Sequence, residues 1–429
     1  MIKGISLQNF MSFDDIELDM TDKGGRCMDH AYIFGENGSG KTNLVDSLVF
    51  LVKSTMTFFN DGWHWSNEWR PFGKSRNDQW TGVDGIDDIL PDYRMIGAEG
   101  GTRLTFRFEI DGYDATYSLE FGKGCLVQSE SLDFVVRKKS GNLFRITKDG
   151  ARLQKDMVTG TYRKEIHYLI ERYWGKHTFL AILMHEIWAK NRSFTDSAIS
   201  ENMRSFLGYI RSLVIMKDGE YFTPYSERFD MPSGFVRVKD FDRFDGFETA
   251  LSKLFTRSYS DIRSVYFKRD YYPDGNISYR LYFEKEIAGK TRTIPAKDES
   301  YGTKRMIDIL QSILLCAEGR TVIIDGIDLG IHGLLISQLL EQCIPDITGQ
   351  LIVTTHDISL MTYRDAPNTF IISIDRHGYK RIDSIQSIEP PNVKTNVQKR
   401  YVEGYYSGIP LIADVGLKDI YETSMRKGR

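Results

Sequence analysis

Residues 35 to 42, Gly35-Glu36-Asn37-Gly38-Ser39-Gly40-Lys41-Thr42, spell a complete GxxxxGK[ST] string. These residue types suit one chemistry, the cradling of a polyphosphate. The glycines let the backbone wrap an anion without Cβ clashes and turn successive N–H groups toward it. A helix that begins near Lys41 adds its positive dipole end. Lys41 would then bridge the β- and γ-phosphates of ATP, and the Thr42 hydroxyl would ligate magnesium. In 429 residues a chance match is expected only about one time in a hundred at ordinary glycine usage. The string also follows an apolar run and opens an amphipathic one, the context the motif needs.

A second chemical group lies far downstream, in TVIIDGIDLGIHG from Thr321 to Gly333. Thr321 to Ile324 is predicted to be a buried strand that delivers Asp325 at its end, where a carboxylate can join the magnesium site through water. Such a strand alone is common. Paired with the glycine loop, it marks a nucleotide site.

These residues need elements to position them. Up to about residue 55 the chain alternates IKGISLQNF, DDIELDM and HAYIF with turns, then enters NLVDSLVFLVK. Strands feeding a glycine loop feeding a helix predict an α/β fold. RLTFRFEIDGYDATYSLEF predicts a hairpin around Asp111-Gly112. Helical spacing predicts amphipathic helices over 163–190, broken near Gly175, and over Ser200 to Ile215. A short helix is expected near 247 to 256, followed by strands at SVYFKRD and SYRLYFEKEI. The last third alternates helix and strand from Tyr301 onward. The stretch 63–92 holds four of the six tryptophans and reads as a loop pinned by aromatic anchors, or else as a partner-binding or nucleotide-covering loop. Val136 to Lys164 carries nine Lys or Arg against two Asp, for which a solvated hairpin is favoured over a nucleic-acid contact.

Composition narrows the class. With 41% hydrophobic and 27% charged residues and a net charge of -3, the chain is globular, and no global field draws it to nucleic acid or an anionic membrane. Cys27, Cys125, Cys316 and Cys343 form no CxxC pair, which predicts small core thiols in a reducing compartment. The start MIKGISLQNFMSF lacks a signal-peptide core, and the densest apolar run, Thr178 to Trp188, is too short to cross a bilayer. The expectation is a cytoplasmic protein with no membrane partner.

Two further stretches resemble motifs of ABC-type ATPases. ESYGTKRMIDILQSIL sets Ser300 and Gly302 at a helix start, like a signature motif, and LIVTTHDISLM sets His356 just past a strand, like a switch histidine at the γ-phosphate. Together with the N-terminal strands and the late YVEGYYSGIP, the chain resembles the ABC-like, AAA-labelled ATPases of bacterial abortive-infection and anti-phage loci. Among these are the ATPase subunit of PARIS systems, the AbiL-type ATPase and, more distantly, the ATPase half of OLD nucleases. The likeness covers roughly 1–120 and 295–412.

That resemblance implies an ABC-type P-loop ATPase head of the α/β class, with a mixed sheet, a β-rich lobe and a helical insertion between glycine loop and signature. It implies an N-terminal ATPase lobe over 1–125, an insertion over 126–290 and a C-terminal lobe over 291–429. It places Asn37, Gly38, Ser39, Gly40 and Asn43 around the nucleotide with Lys41 and Thr42, and Lys304 with Ser300 and Gly302 in the signature. Heads would pair head to tail as a homodimer or higher even-numbered oligomer. A partner protein from the same locus, such as a Toprim-type nuclease, would act as effector, and a phage protein as trigger.

Where the family has Asp-Glu-x-Asp, this chain has Asp325-Gly326-Ile327-Asp328. The missing glutamate positions and deprotonates the attacking water, a role worth about 10² to 10⁴ in rate. Retained ATP and magnesium binding with slow turnover is therefore expected. A glycine here would also suit an engineered trap, or a site in which Asp328, His332 or His356 compensates. The competing function is a DNA-repair ATPase of RecF or SMC type. Long heptads are absent, so only its RecF-like form is compatible, with possible DNA contact through the basic segment. An OLD-type nuclease acting alone is disfavoured, because 73 residues after His356 leave little room for a nuclease domain. A transporter subunit is disfavoured by the large insertion.

Overall fold

The computed structural model describes residues 1–60, 85–136, 139–160, 162–223, 232–237, 241–362, 364–390, 392, 394–409 and 421. Most of the tryptophan-rich stretch, residues 61–84, lies outside them.

The element that positions the site is a seven-stranded mixed sheet. Its order is Glu220–Phe222, Val214–Lys217, Thr321–Ile324, Gln350–Thr354, His30–Gly35, Thr369–Ile374 and Lys380–Ser384. The five inner strands run parallel and the two edges antiparallel. Parallel strands covered on both faces read as continuous apolar runs, which explains AYIF, TVII and QLIV. Ile33, Ile323, Ile352 and Ile372 face one hydrophobic core. Their neighbours Phe34, Ile324, Val353 and Ile371 face the other.

The first core lies between this sheet and a seven-stranded antiparallel sheet built from residues 2–19, 102–121 and 127–153. Helix Lys41–Ser54 is packed there through Leu44, Val45, Leu48 and Leu51. Gln350, fully buried, ties the two sheets: its Oε1 accepts from Ile2 N at 2.6 Å and its Nε2 donates to Ile2 O and Met28 O, both at 2.9 Å. The second core lies between the mixed sheet, helix Tyr301–Ala317 and a four-stranded sheet over 233–237, 262–271, 276–287 and 290–295 that is backed by helix Phe241–Ser258.

The hairpin at Asp111-Gly112 has both turn residues left-handed, at φ 52° and 76°, and joins Thr102–Ile110 to Tyr113–Phe121. Helices Tyr162–Tyr173 and Phe179–Ala189 flank Gly175, whose φ is 104°. The basic stretch forms strands Lys139–Thr147 and Gly150–Leu153 at one edge of the antiparallel sheet.

Two expectations need adjustment. The helix expected over Ser200 to Ile215 stops at Ser212, because Val214, Ile215 and Met216 pair with Val322, Ile323 and Ile324. That long-range pairing overrides the local helical spacing. The boundary expected at residue 125 falls inside the antiparallel sheet, and the region beyond it also lends Val214–Lys217 and Glu220–Phe222 to the mixed sheet. Of the cysteines, Cys316 alone is buried and the other three are half-buried thiols.

Candidate functional site

Buried strand His30–Gly35 runs straight into the glycine loop, and helix Lys41–Ser54 leaves it. Gly38 and Gly40 have φ of 81° and 110°, values that only glycine takes without strain. A Cβ on Gly38 would meet nothing within 4 Å, so the loop tip is open. Asn37 and Gly38 are exposed there, whereas Ser39, Gly40 and Lys41 are buried. Lys41 Nζ donates to the carbonyls of Gly35 at 2.8 Å and Glu36 at 3.1 Å. Burial pushes its pKa down, against the pull of Asp325, Asp328 and Glu36. The Ser39 hydroxyl is fully buried yet finds no partner among the described residues. An open glycine loop, a lysine parked on backbone carbonyls and an orphaned buried hydroxyl fit a phosphate chain.

Strand Thr321–Ile324 delivers Asp325 to the foot of this loop. Its Oδ2 accepts from Thr42 Oγ1 at 2.9 Å and its Oδ1 from Thr354 Oγ1 at 2.5 Å. Thr354 Oγ1 accepts in turn from Gly326 N at 2.7 Å. Thr42 and Asp325, expected as the magnesium pair, are thus in direct contact. The pairing of hydroxyl and carboxylate oxygens suits a hard divalent cation.

Gly326 sits at φ 60°, and a Cβ there would meet the Leu329 side chain at 2.5 Å. The backbone at the position of the missing glutamate is therefore one that favours glycine. Asp328 accepts from His356 N with both oxygens at 3.4 Å. His332 caps helix Gly333–Cys343, its Nδ1 accepting from Leu334 N at 3.3 Å. The His356 side chain is solvent-accessible, but its ring lies partly against the protein, and that desolvation together with Lys41 holds its pKa below the usual histidine value.

Ser300 caps helix Tyr301–Ala317, accepting from Thr303 N at 3.1 Å. Gly302 approaches the loop after Asp325 so closely that a Cβ would collide with Gly330 O. Lys304 donates to Lys297 O at 3.3 Å. None of the three bonds to the glycine loop among the described residues. Asn43 instead donates to Ser12 Oγ at 2.6 Å.

Sequence reasoning missed Arg305 and Thr354. Buried Arg305 donates from Nη2 to the carbonyls of Asp325 at 2.9 Å and Gly326 at 3.2 Å, so helix Tyr301–Ala317 grips the end of the Asp325 strand. Both residues stand inside recognisable stretches, ESYGTKRM and LIVTTHD, and only their through-space partners were invisible.

The profile of one family matches residues 31–362, more than three quarters of the chain; it is described as "AAA domain, putative AbiEii toxin, Type IV TA system". The chain belongs to this family. Its match begins at the strand before the glycine loop and ends past His356, so it encloses the whole candidate site. No curated protein matches. Solved structures similar to the chain include head domains of SMC proteins. The SMC head bound to the C-winged helix domain of ScpA is 14% identical over 89% of this chain and 97% of its own, at a TM-score of 0.46. The SMC head domain from Thermotoga maritima is 14% identical over 89% and 98%, at 0.38. The SMC head with an extended coiled coil bound to the C-terminal domain of ScpA, from Pyrococcus furiosus, is 14% identical over 90% and 97%, at 0.43. This AAA family member has an α/β fold, with the glycine loop set between the inner parallel strand His30–Gly35 and helix Lys41–Ser54. Among its described residues, no helix is long and apolar enough to cross a membrane.

Proposed function

We propose that this chain binds magnesium-ATP at the glycine loop, turns it over slowly, and works as a nucleotide-gated, head-to-tail assembly that holds an effector in anti-phage defence. The observation that carries the reading is the 2.9 Å contact of Thr42 Oγ1 with Asp325 Oδ2 at the foot of an open glycine loop. Lys41 would exchange the carbonyls of Gly35 and Glu36 for phosphate oxygens. Asn37, Gly38, Ser39, Gly40 and Asn43 would line the phosphate chain. Thr42 and Asp325 would hold magnesium, which when bound neutralises phosphate charge.

Slow turnover follows from what the other residues are doing. Gly326 offers no base. Asp328 already receives the His356 amide, and His332 caps a helix. His356, just past strand Gln350–Thr354, is assigned the γ-phosphate contact rather than the positioning of water.

Head-to-tail pairing is supported by Ser300, Gly302 and Lys304, which leave their own glycine loop alone. Tyr301, Leu329 and Leu334 beside them are 60%, 49% and 61% exposed, an apolar surface that a second copy would cover. The defence role is supported by the family description, which names a toxin of a type IV toxin–antitoxin system, and by the resemblance to PARIS and AbiL-type ATPases. A Toprim-type nuclease would serve as effector, and a phage protein as trigger.

Phosphate release by the parent, Gly326→Glu and Gly326→Ala, with ATP binding measured in each, tests the chemistry. Turnover by the glutamate form alone supports the gated clamp. A parent as fast as Gly326→Glu removes slow turnover from the reading. Co-purification with the product of the neighbouring gene tests the scaffold, and an empty pull-down with and without ATP counts against it.

A further inference from the structure

Lys380 begins the edge strand Lys380–Ser384 of the mixed sheet, yet its ammonium ends at the glycine loop. Nζ donates to Gly38 O at 2.9 Å, across a sequence separation of 342 residues, and to Ser12 Oγ at 2.6 Å. The same Ser12 oxygen accepts from Asn43 Nδ2 at 2.6 Å, in the first turn of the loop helix. Nζ also stands 5.6 Å from the centroid of the Phe13 ring. A Cβ on Gly40 would meet that ring at 2.7 Å, so Phe13 lies directly against the loop. Lys380, Ser12, Phe13 and Asn43 together wall one side of the phosphate-binding turn.

Every partner of this ammonium is neutral: a carbonyl, a hydroxyl and a ring. No carboxylate pairs with it among the described residues, and its third N–H finds no acceptor there. Partial burial, unopposed by any nearby acid, pushes its pKa down. Lys41, by contrast, has Asp325, Asp328 and Glu36 close by. Drawing a cation out of water without a counter-ion is costly, and the cost is offset when an anion arrives.

We propose that Lys380 is a second phosphate-binding cation of the nucleotide site, held on the Gly38 carbonyl until nucleotide phosphates supply its missing counter-charge. The proposal rests on the reading of the glycine loop as a nucleotide site. A lysine is a compact charge on a flexible four-carbon stem, so Nζ can trade the Gly38 carbonyl for a phosphate oxygen without displacing its strand. Ser12 Oγ, which also accepts from Asn43, is the second neutral acceptor that competes with phosphate for the ammonium.

The test is calorimetric titration of the full chain with magnesium-ATP at low and high salt, for the parent, Lys41→Ala, Lys380→Gln and Lys380→Arg. Failure of the parent to bind ATP, or unchanged binding by Lys41→Ala, overturns the nucleotide reading itself. With that reading intact, Lys380→Gln is expected to bind ATP on the order of ten- to a hundredfold more weakly at low salt. The gap narrows as salt screens the parent's extra charge, and Lys380→Arg restores most of the affinity. Binding by Lys380→Gln within twofold of the parent overturns the proposal. So does a loss that salt leaves unchanged, since that marks a neutral strut for the loop. If Lys380→Gln does not fold, Ser12→Ala carries the test. Freeing the ammonium from its hydroxyl keeps or tightens ATP binding, whereas a strut would loosen and weaken it.

Discussion

Thr42 Oγ1 and Asp325 Oδ2 lie 2.9 Å apart although 283 residues separate them. Parallel pairing brings them together: strand Thr321–Ile324 pairs with Gln350–Thr354, which pairs with His30–Gly35, so the C-terminal ends of these inner strands point the same way. Asp325→Asn is expected to keep the fold, because the amide oxygen can still accept from Thr354 Oγ1 while the amide NH2 donates to Thr42 Oγ1. It should weaken magnesium-dependent ATP binding by about tenfold or more, the loss of one charge-assisted contact. Titration with and without magnesium checks this. Equal affinity for parent and variant in magnesium would remove Asp325 from the metal site.

Gly326 has a left-handed backbone, and Leu329 fills the space of a Cβ. Gly326→Ala is therefore expected to destabilise the chain by about 1 to 2 kcal/mol from backbone strain, read as a lower thermal midpoint. Gly326→Glu carries the same strain and the same Cβ clash with Leu329. Its phosphate release should accordingly be compared with Gly326→Ala rather than with the parent alone. An alanine form as stable as the parent would show that this turn does not require glycine.

Much of the site was legible because its signals are local. The glycine loop, the Asp325 strand, the Ser300 cap and His356 each sit in a run of fewer than twenty residues whose pattern has one physical cause. Val214–Lys217 was not legible, since four residues after an amphipathic helix look like its last turn until a parallel neighbour claims them. Arg305, Thr354 and Lys380 were invisible for a related reason. Their roles come from what they touch across the sheet, and Lys380 in particular stands at the start of a polar edge strand with no motif around it.

Gln350 gives a stability test of the junction between the two large sheets. Gln350→Leu leaves Ile2 N, Ile2 O and Met28 O, now its partners, without the side chain that satisfies them. The expected loss is about 2 to 4 kcal/mol, from loss of the amide's three bonds, which leaves the Ile2 and Met28 carbonyls with the weak Cys27 thiol as side-chain donor. A thermal midpoint unchanged from the parent would mean that water or a local shift replaces the amide.

His30 supplies a pH dependence. Burial would lower its pKa, but the hydrogen bond to Asp29 and the approach of Asp365 outweigh this and raise it to about 9. The folded chain thus holds a proton that the unfolded chain releases near the ordinary value of 6.5. The stabilisation is fully present below about pH 6.5 and fades as pH rises toward 9. Measured against the parent, His30→Gln should lose most stability at pH 6 and little at pH 9. A difference that stays constant over that range would mean His30 is neutral in the fold.

Gly302 separates assembly from nucleotide binding. Its Cα faces the carbonyl of Gly330, and a Cβ would collide with that oxygen, which belongs to backbone and cannot swing aside. Gly302→Ala must therefore push the first turn of helix Tyr301–Ala317 away from Gly330, while Arg305, one turn further on, can keep its hold on the Asp325 carbonyl. The glycine loop, Lys41 and Thr42 are untouched, so ATP binding should stay within about threefold of the parent, a shift below roughly 0.7 kcal/mol. ATP-dependent self-association, followed by sedimentation, should fall by about tenfold or more, because the displaced apolar surface of Tyr301 and Leu329 no longer matches its counterpart. Unchanged association would place the pairing surface elsewhere and leave Ser300 and Gly302 as a helix cap and a packing contact.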